Sequence, residues 1–196
     1  MGKIKYGLSN VHYAVATIAA DNSATYETPV RIPGAVNLSM EPQGENSVFN
    51  ADNIEYAVFE SNNGYEGDLE IALVPASFEK DVLGAHEDTN KVLFEDADAP
   101  TVHFALLFQF EGDVKATRHV LYNCTASRAT VEGETKGETI EPKTETLSLK
   151  ASSIYIPALG KNTPKAKTQD TTPDAQYNAW FDAVYTQAAG TQVAGN

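Results

Sequence analysis

Gly67-Asp68-Leu69-Glu70-Ile71-Ala72-Leu73 is the stretch that decides the fold. Its apolar residues Leu69, Ile71 and Leu73 alternate with Asp68 and Glu70, and Glu66 extends the acid row. A period of two puts the carboxylates on one face of a β-strand and the aliphatic side chains on the other. The surrounding sequence is equally one-sided. Between Arg31 and Lys80 there is no Lys, Arg or His, while nine acids occur: Glu41, Glu45, Asp52, Glu55, Glu60, Glu66, Asp68, Glu70 and Glu79. Acids that alternate with core residues belong to a folded sheet, not to a solvated acidic tail. A strand with a wholly negative outer face repels phosphates and other anions. That argues against gripping nucleic acid and is compatible with letting it slide past.

Strand signals continue on both sides. Downstream, Val102, Phe104, Leu106, Phe108 and Phe110 fill one face of a run whose other face holds Ala105 and Leu107, so both faces are expected to be covered. Glu111-Gly112-Asp113 turns the chain into a second strand over Ala116–Ala126. Thr144–Ala151 reads as another, with Leu147 and Leu149 inward, and Glu132–Pro142 as an exposed loop. Upstream, Val11–Ile18 and Ala35–Met40 read as strands separated by a turn at Pro33-Gly34. Met40–Asn53 is poor in apolar residues and reads as a long loop or an extended hairpin; connections of that length are usually functional. Ile54–Glu60 and Tyr65–Val74 are expected to pair, closed near Asn62-Asn63-Gly64, because Asn-Gly supplies the positive φ of tight hairpins. Pro75–Leu83 reads as a short helix ended by Gly84, and Val92–Phe94 as a short strand. No internal repeat occurs at solenoid or propeller periods.

At Ala158 the composition changes. Ala158–Thr172 lacks periodicity and reads as a linker. A helix is expected over 173–189, with Thr172 as N-cap, Pro173 at the first position and Asp174 complementing the dipole. Tyr177, Trp180, Phe181, Val184 and Tyr185 form one apolar stripe on it, which must dock on the chain's own sheet or on a neighbouring subunit; its own sheet is the default. The expected organisation is thus a mainly β chain: a β-sandwich over 1–157, a linker over 158–172 and a docked amphipathic helix over 173–189.

Bulk properties narrow the function. The chain has 196 residues, a hydrophobic fraction of 42% and a charged fraction of 21%, ordinary for one globular domain with its own core. A formal net charge of -13 argues against basic-patch binding to DNA or anionic lipid. No apolar run reaches membrane-spanning length. The opening Met1–Tyr6 is too polar for a secretion signal, and Tyr6 replaces the Ser or Thr of a myristoylation motif. The protein is expected to be made and used without export, so the Asn37-Leu38-Ser39 and Asn123-Cys124-Thr125 sequons carry no meaning.

A search for chemistry returns nothing. Cys124, the only cysteine, has no disulfide partner within the chain and sits in the strand-like run Val120–Thr125. His119 is five residues upstream, which on a regular strand points its side chain to the opposite face. His12, His103 and His119 are isolated, and His86-Glu87-Asp88 reads as a solvated acidic loop in preference to a weak cation site. No phosphate-binding glycine loop or Gly-x-Ser-x-Gly elbow occurs. Carboxylates abound, but acid–base work needs two in a cleft with separated pKa values. An enzyme is not expected, and neither is a cofactor or a metal.

Several segments carry a resemblance. They are Lys3-Ile4-Lys5-Tyr6-Gly7-Leu8-Ser9-Asn10-Val11-His12-Tyr13-Ala14, Pro33-Gly34-Ala35-Val36, Ala51-Asp52-Asn53-Ile54-Glu55-Tyr56 and Gly64–Ala72. Phe104–Phe110, Lys115–Cys124 and Tyr177-Asn178-Ala179-Trp180-Phe181 follow in order. Together they resemble the major tail protein of long-tailed, non-contractile (siphovirus-type) phages, the subunit of the tail tube. The resemblance implies a tail-tube-type β-sandwich with a flanking helix. It implies subunits joined six to a ring by their inner sheets, rings stacked into a tube, and DNA travelling down the lumen without specific binding. It also implies tape-measure and tail terminator or initiator proteins as partners, a place in the virion tail and synthesis in the host bacterial cytoplasm. On this reading Glu66, Asp68 and Glu70 face the lumen, with Glu55 nearby, and a ring carrying six times -13 is non-stick toward its cargo. Met40, Glu41, Gln43, Glu45, Val48, Phe49 and Asp52 lie in the loop that touches the next ring. The alternatives are a tube subunit of a phage-like bacteriocin or contractile injection system, or a silent prophage copy. A β-sandwich binding or adhesin module is a further one. Recognition loops rich in Tyr and Trp would favour the last, but the aromatics here lie in strands and one helix.

Overall fold

A computed structural model describes residues 4–187 except 45, 52, 132, 134 and 136–142; between 46 and 60 it describes the side chains of Val48, Asn53, Ile54 and Tyr56 alone. The chain forms β1 (Lys5–Ile18), β2 (Ala24–Tyr26), β3 (Val30–Arg31), β4 (Ala35–Gln43), β5 (Asn46–Ala51), β6 (Ile54–Glu60) and β7 (Gly64–Ile71). The helix α1 (Ala76–Asp81) and a small ribbon of β8 (His86–Glu87) and β9 (Leu93–Phe94) come next. Then come β10 (His103–Gly112), β11 (Thr117–Ala126), β12 (Glu145–Ser152), β13 (Ile154–Ile156), β14 (Lys161–Thr163) and β15 (Lys165–Lys167). The helix α2 (Asp174–Asn178) runs into a 3-10 turn at Ala179–Phe181.

The main sheet is ordered β2-β1-β10-β11-β12-β7-β4, with β3 added to β1 and β15 to β11. Its two halves fold over one another. The inner faces of β1, β10 and β11 supply Tyr13, Phe104, Leu106 and Leu121, and those of β12, β7 and β4 supply Leu147, Leu149, Leu69, Ile71 and Leu38. Phe78 of α1 closes the end of this core, edge-on to Tyr13 at 5.1 Å and to Phe104 at 5.5 Å. A second core lies outside the β1–β10–β11 half, where Ala105, Leu107, Val120 and Tyr122 meet Ile154, Ile156 and Trp180. Strand β10 is therefore covered on both faces, and its run of apolar residues reflects that.

The strand pairing differs from the expectation in one important place. β6 pairs with β5, from Asn46↔Glu60 to Ala51↔Ile54, and β7 pairs with β4 and β12. The segment 40–53 is thus the extended-hairpin alternative. Gly64 does take a positive φ of 101°, but it serves a step between two strands that follow one another. The hairpin reverses between Ala51 and Ile54, where Asn53 takes φ 62°. Asn tolerates this left-handed conformation better than other residues with a side chain, so a turn without glycine is feasible there. β7 ends at Ile71, leaving Leu73 68% exposed, outside the period that places Leu69 and Ile71 inward.

Three further corrections concern local geometry. The linker expected over 158–172 contains β14, paired to β13, and β15, paired to β11; strands of three residues are too short to show a period. The helix expected over 173–189 stops at Phe181, so Val184 and Tyr185 belong to non-helical chain, and residues 188–196 lie outside the described part. His119 and Cys124 do not face opposite ways. Leu106 pairs with Leu121 and Phe104 with Cys124, so β11 holds one extra residue between them. That bulge restores Cys124 to the face of Leu121, in the main core.

Candidate functional site

Among the described residues, none covers the outer face of β12–β7–β4. Glu66, Asp68 and Glu70 project from β7, flanked on β4 by Glu41, Ser39 and Asn37 and on β12 by Lys150, Ser148 and Thr146. The Ser148 hydroxyl donates to Asp68 Oδ1 at 2.8 Å and Thr144 donates to Glu70 Oε1 at 2.6 Å. Glu41 stands directly across from Glu66, a like-charge pair that costs some stability. Lys150, across from Glu66 on the other side, is the one cation in these nine positions. The layer is tightly built: a Cβ on Gly67 would lie 1.9 Å from the Ser39 carbonyl oxygen, so glycine is required where β4 and β7 approach. Among the described residues β4 pairs on one side only, leaving a nine-residue strand edge open.

An arm extends from this layer. The Asn63 amide donates to the Gln43 carbonyl at 2.8 Å, tying the root of the β5–β6 hairpin to the end of the β4–β7 ladder. Six residues of β5 give an arm of roughly 20 Å. Val48 is 46% exposed, Ile54 62% and Tyr56 70%. Met40 is half-buried against the main core at the base of the arm, so it is not part of an exposed loop. Glu41 and Gln43 are exposed on β4. The side chains of Phe49 and Glu55, and residues Glu45 and Asp52 altogether, lie outside the described part.

The opposite outer face, on β1–β10–β11, is covered by the C-terminal segment. Trp180 is 3% exposed, and its indole N–H donates to the His119 carbonyl at 3.3 Å. Arg118 lies against the rings of Tyr177 and Phe181, with its guanidinium carbon 3.9 Å and 4.9 Å from their centroids. It also donates to Gln109 Oε1 at 3.0 Å and to the Tyr177 carbonyl. Phe181 stacks on His12 at 4.8 Å and Tyr185 on Trp180 at 5.5 Å. The Tyr122 hydroxyl donates to the Tyr185 carbonyl at 2.8 Å, and Val184 packs against the second core. Sequence reasoning overlooked Arg118, although a cation on the core strand β11, four residues before Tyr122, is a signal for aromatic stacking.

The described residues offer no reactive constellation. Burial pushes the Cys124 thiol up to about 12, far from a working nucleophile. His119 is lowered to about 4 by burial and by the charges of Lys167, Lys5 and Lys165, and its ring stacks on Phe108 at 5.1 Å. Glu87 is held at about 2 by hydrogen bonds from Lys91 and then Lys80, so its carboxylate is already occupied by cations. Asp88 accepts from the Val92 and Asn90 amides, and no group of three His, Cys, Asp or Glu among the described residues is placed to hold a metal. No helix among them is long and apolar enough to cross a membrane.

A bare acidic layer, an open strand edge and a projecting arm are features of an assembly surface. A family model described as phage tail tube protein matches residues 1–192. The chain belongs to the phage tail tube protein family. No curated protein matches it. A tail tube protein has a structural role, resides in the virion tail and self-assembles there with other tail proteins.

Proposed function

We propose that this tail tube protein forms stacked hexameric rings whose lumen conducts DNA during ejection. The carrying observation is the bare face of β12–β7–β4, where Glu41, Glu66, Asp68 and Glu70 gather on two adjacent strands, β4 and β7, beside one lysine on β12. A conduit must not hold a polyphosphate, and a carboxylate-rich wall raises the cost of contact at every step. In this reading Glu66, Asp68 and Glu70 face the lumen and Glu55 lies near it. The open edge of β4 supports joining of sheets between neighbours, which removes an exposed edge.

The β5–β6 arm carries contact between rings. Contacts of this kind are heterologous and do not close, so tube length is set from outside, by the tape-measure and terminator or initiator proteins. The protein is made in the host bacterial cytoplasm and enters the virion from there. The C-terminal stripe of Tyr177 to Tyr185 remains on its own subunit in the assembled tube.

Electron microscopy of assembled tubes tests this directly. A reconstruction with Glu66, Asp68 and Glu70 on the inner wall supports the reading. The same residues on the outer wall would reject the lumen assignment, and tube formation by a chain lacking residues 46–60 would reject the arm contact.

A further inference from the structure

The main core is not sealed between Lys5 of β1 and Leu38 and Met40 of β4. A mouth of about 160 Å³ opens there between the two layers, floored by Phe108, Phe110 and His119 and walled by Leu38 and Tyr65. Two lysines stand over it. Lys5 Nζ lies 4.6 Å from the Phe110 ring and Lys165 Nζ 4.2 Å from the Tyr65 ring. Lys167 is close enough for its charge to act on His119 together with those of Lys5 and Lys165. Among the described residues no carboxylate lines the mouth. An aromatic floor beneath converging cations suits a segment that is both acidic and apolar.

The chain carries such a segment. Residues 44–63 hold the acids Glu45, Asp52, Glu55 and Glu60 and no cation, and Val48, Ile54 and Tyr56 are exposed on the arm. A chain's own arm leaves from the rim of its own mouth, since Tyr65 lines the mouth and Asn63 ties the arm to Gln43. We propose that the mouth between β1 and β4 is the acceptor for the β5–β6 arm of a second copy. Lys5 and Lys165 meet the acids, and the aromatic floor receives the apolar residues. The inference rests on the contact role proposed for the arm and names what the arm contacts. Arm and acceptor occupy different parts of one chain, so the contact is heterologous and propagates.

Cysteine crosslinking tests it, because native Cys124 is buried and unreactive. Full-length Ile54→Cys and Lys165→Cys chains are mixed, oxidised mildly and imaged by electron microscopy. The control pair is Ile54→Cys with Glu95→Cys, beside Arg128 and away from the mouth. The 54–165 product is expected in about tenfold excess over the control, falling as salt rises. Lys5→Glu with Lys165→Glu is expected to weaken self-association roughly tenfold, and adding Asp52→Lys with Glu55→Lys to restore it, a rescue that simple destabilisation does not produce. Particles without 54–165 excess, or without the rescue, overturn the acceptor and leave the tube reading standing. Neither particles nor linked products at any concentration overturn both.

Discussion

The two outer faces of the sandwich are opposites. On β1–β10–β11 the chain covers its own sheet with Trp180, Phe181, Val184 and the β13 isoleucines. On β12–β7–β4 no described segment covers the sheet, and Glu66, Asp68 and Ser148 are exposed. The first face is apolar and must be hidden for the monomer to be stable. The second is charged, stable in water and free to meet something else. The difference separates residues that hold the fold together from residues that do not, and it can be broken experimentally.

The largest contrast is expected from Trp180→Ala. Removing a buried indole should cost about 3–5 kcal/mol of unfolding free energy. Asp68→Ala on the bare face should stay within about 0.5 kcal/mol. Denaturant titration of both decides the matter, and equal losses would erase the distinction. Gly67→Ala qualifies it. The bare layer tolerates changes in its outward side chains but not in its backbone packing, so this small substitution should cost roughly 2 kcal/mol or more. Arg118→Leu should cost about 1–3 kcal/mol on the covered face through lost ring stacking and hydrogen bonds.

His119 offers a pH test at the edge of both layers. Its native pKa of about 4 lies below the ordinary 6.5, so the unfolded chain binds the proton more readily. Stability from this group is complete above pH 6.5, falls as pH drops toward 4 and is flat below. Allowing for solvent screening, the change is on the order of 1–2 kcal/mol. A His119→Phe variant should lose that slope in melting curves across the window. The smallest effect is expected for Glu66→Gln, Asp68→Asn and Glu70→Gln together. Stability should move by less than about 1 kcal/mol, or rise slightly as Glu41 loses its like-charged neighbour. Tubes of this variant should retain DNA that wild-type tubes release, measured by co-sedimentation.

Much of this plan was legible in the chain. Strict alternation in Leu69 and Ile71, and again in Phe104 to Phe108, announced strands, their inward faces and the doubly covered β10. The β5–β6 pairing was harder to see because two turn signals compete. Asn62-Asn63-Gly64 is the stronger by composition, yet the reversal falls between Ala51 and Ile54. Which signal reverses the chain depends on the partner strands, and β12 claims the edge of β7 that β6 would need. The β11 bulge was invisible for a similar reason. A single extra residue leaves no compositional trace, yet it moves Cys124 to the other face. The acidic row was readable in full, but the mouth was not, since Lys5, Tyr65 and Lys165 meet only once the sheet folds over.

The arm's continuity with β4 and β7 has a mechanical consequence. Cross-strand hydrogen bonds in an antiparallel pair run perpendicular to the strands. A pull along the hairpin at Asn53 moves β5 and β6 together, because both are joined at the tip, and leaves the bonds between them unsheared. Tension entering at the tip passes through β5 into β4 and through β6 into β7, whose seven pairs with β12 run without a register shift. Such an arm takes tension at its tip without its own two strands being pulled apart.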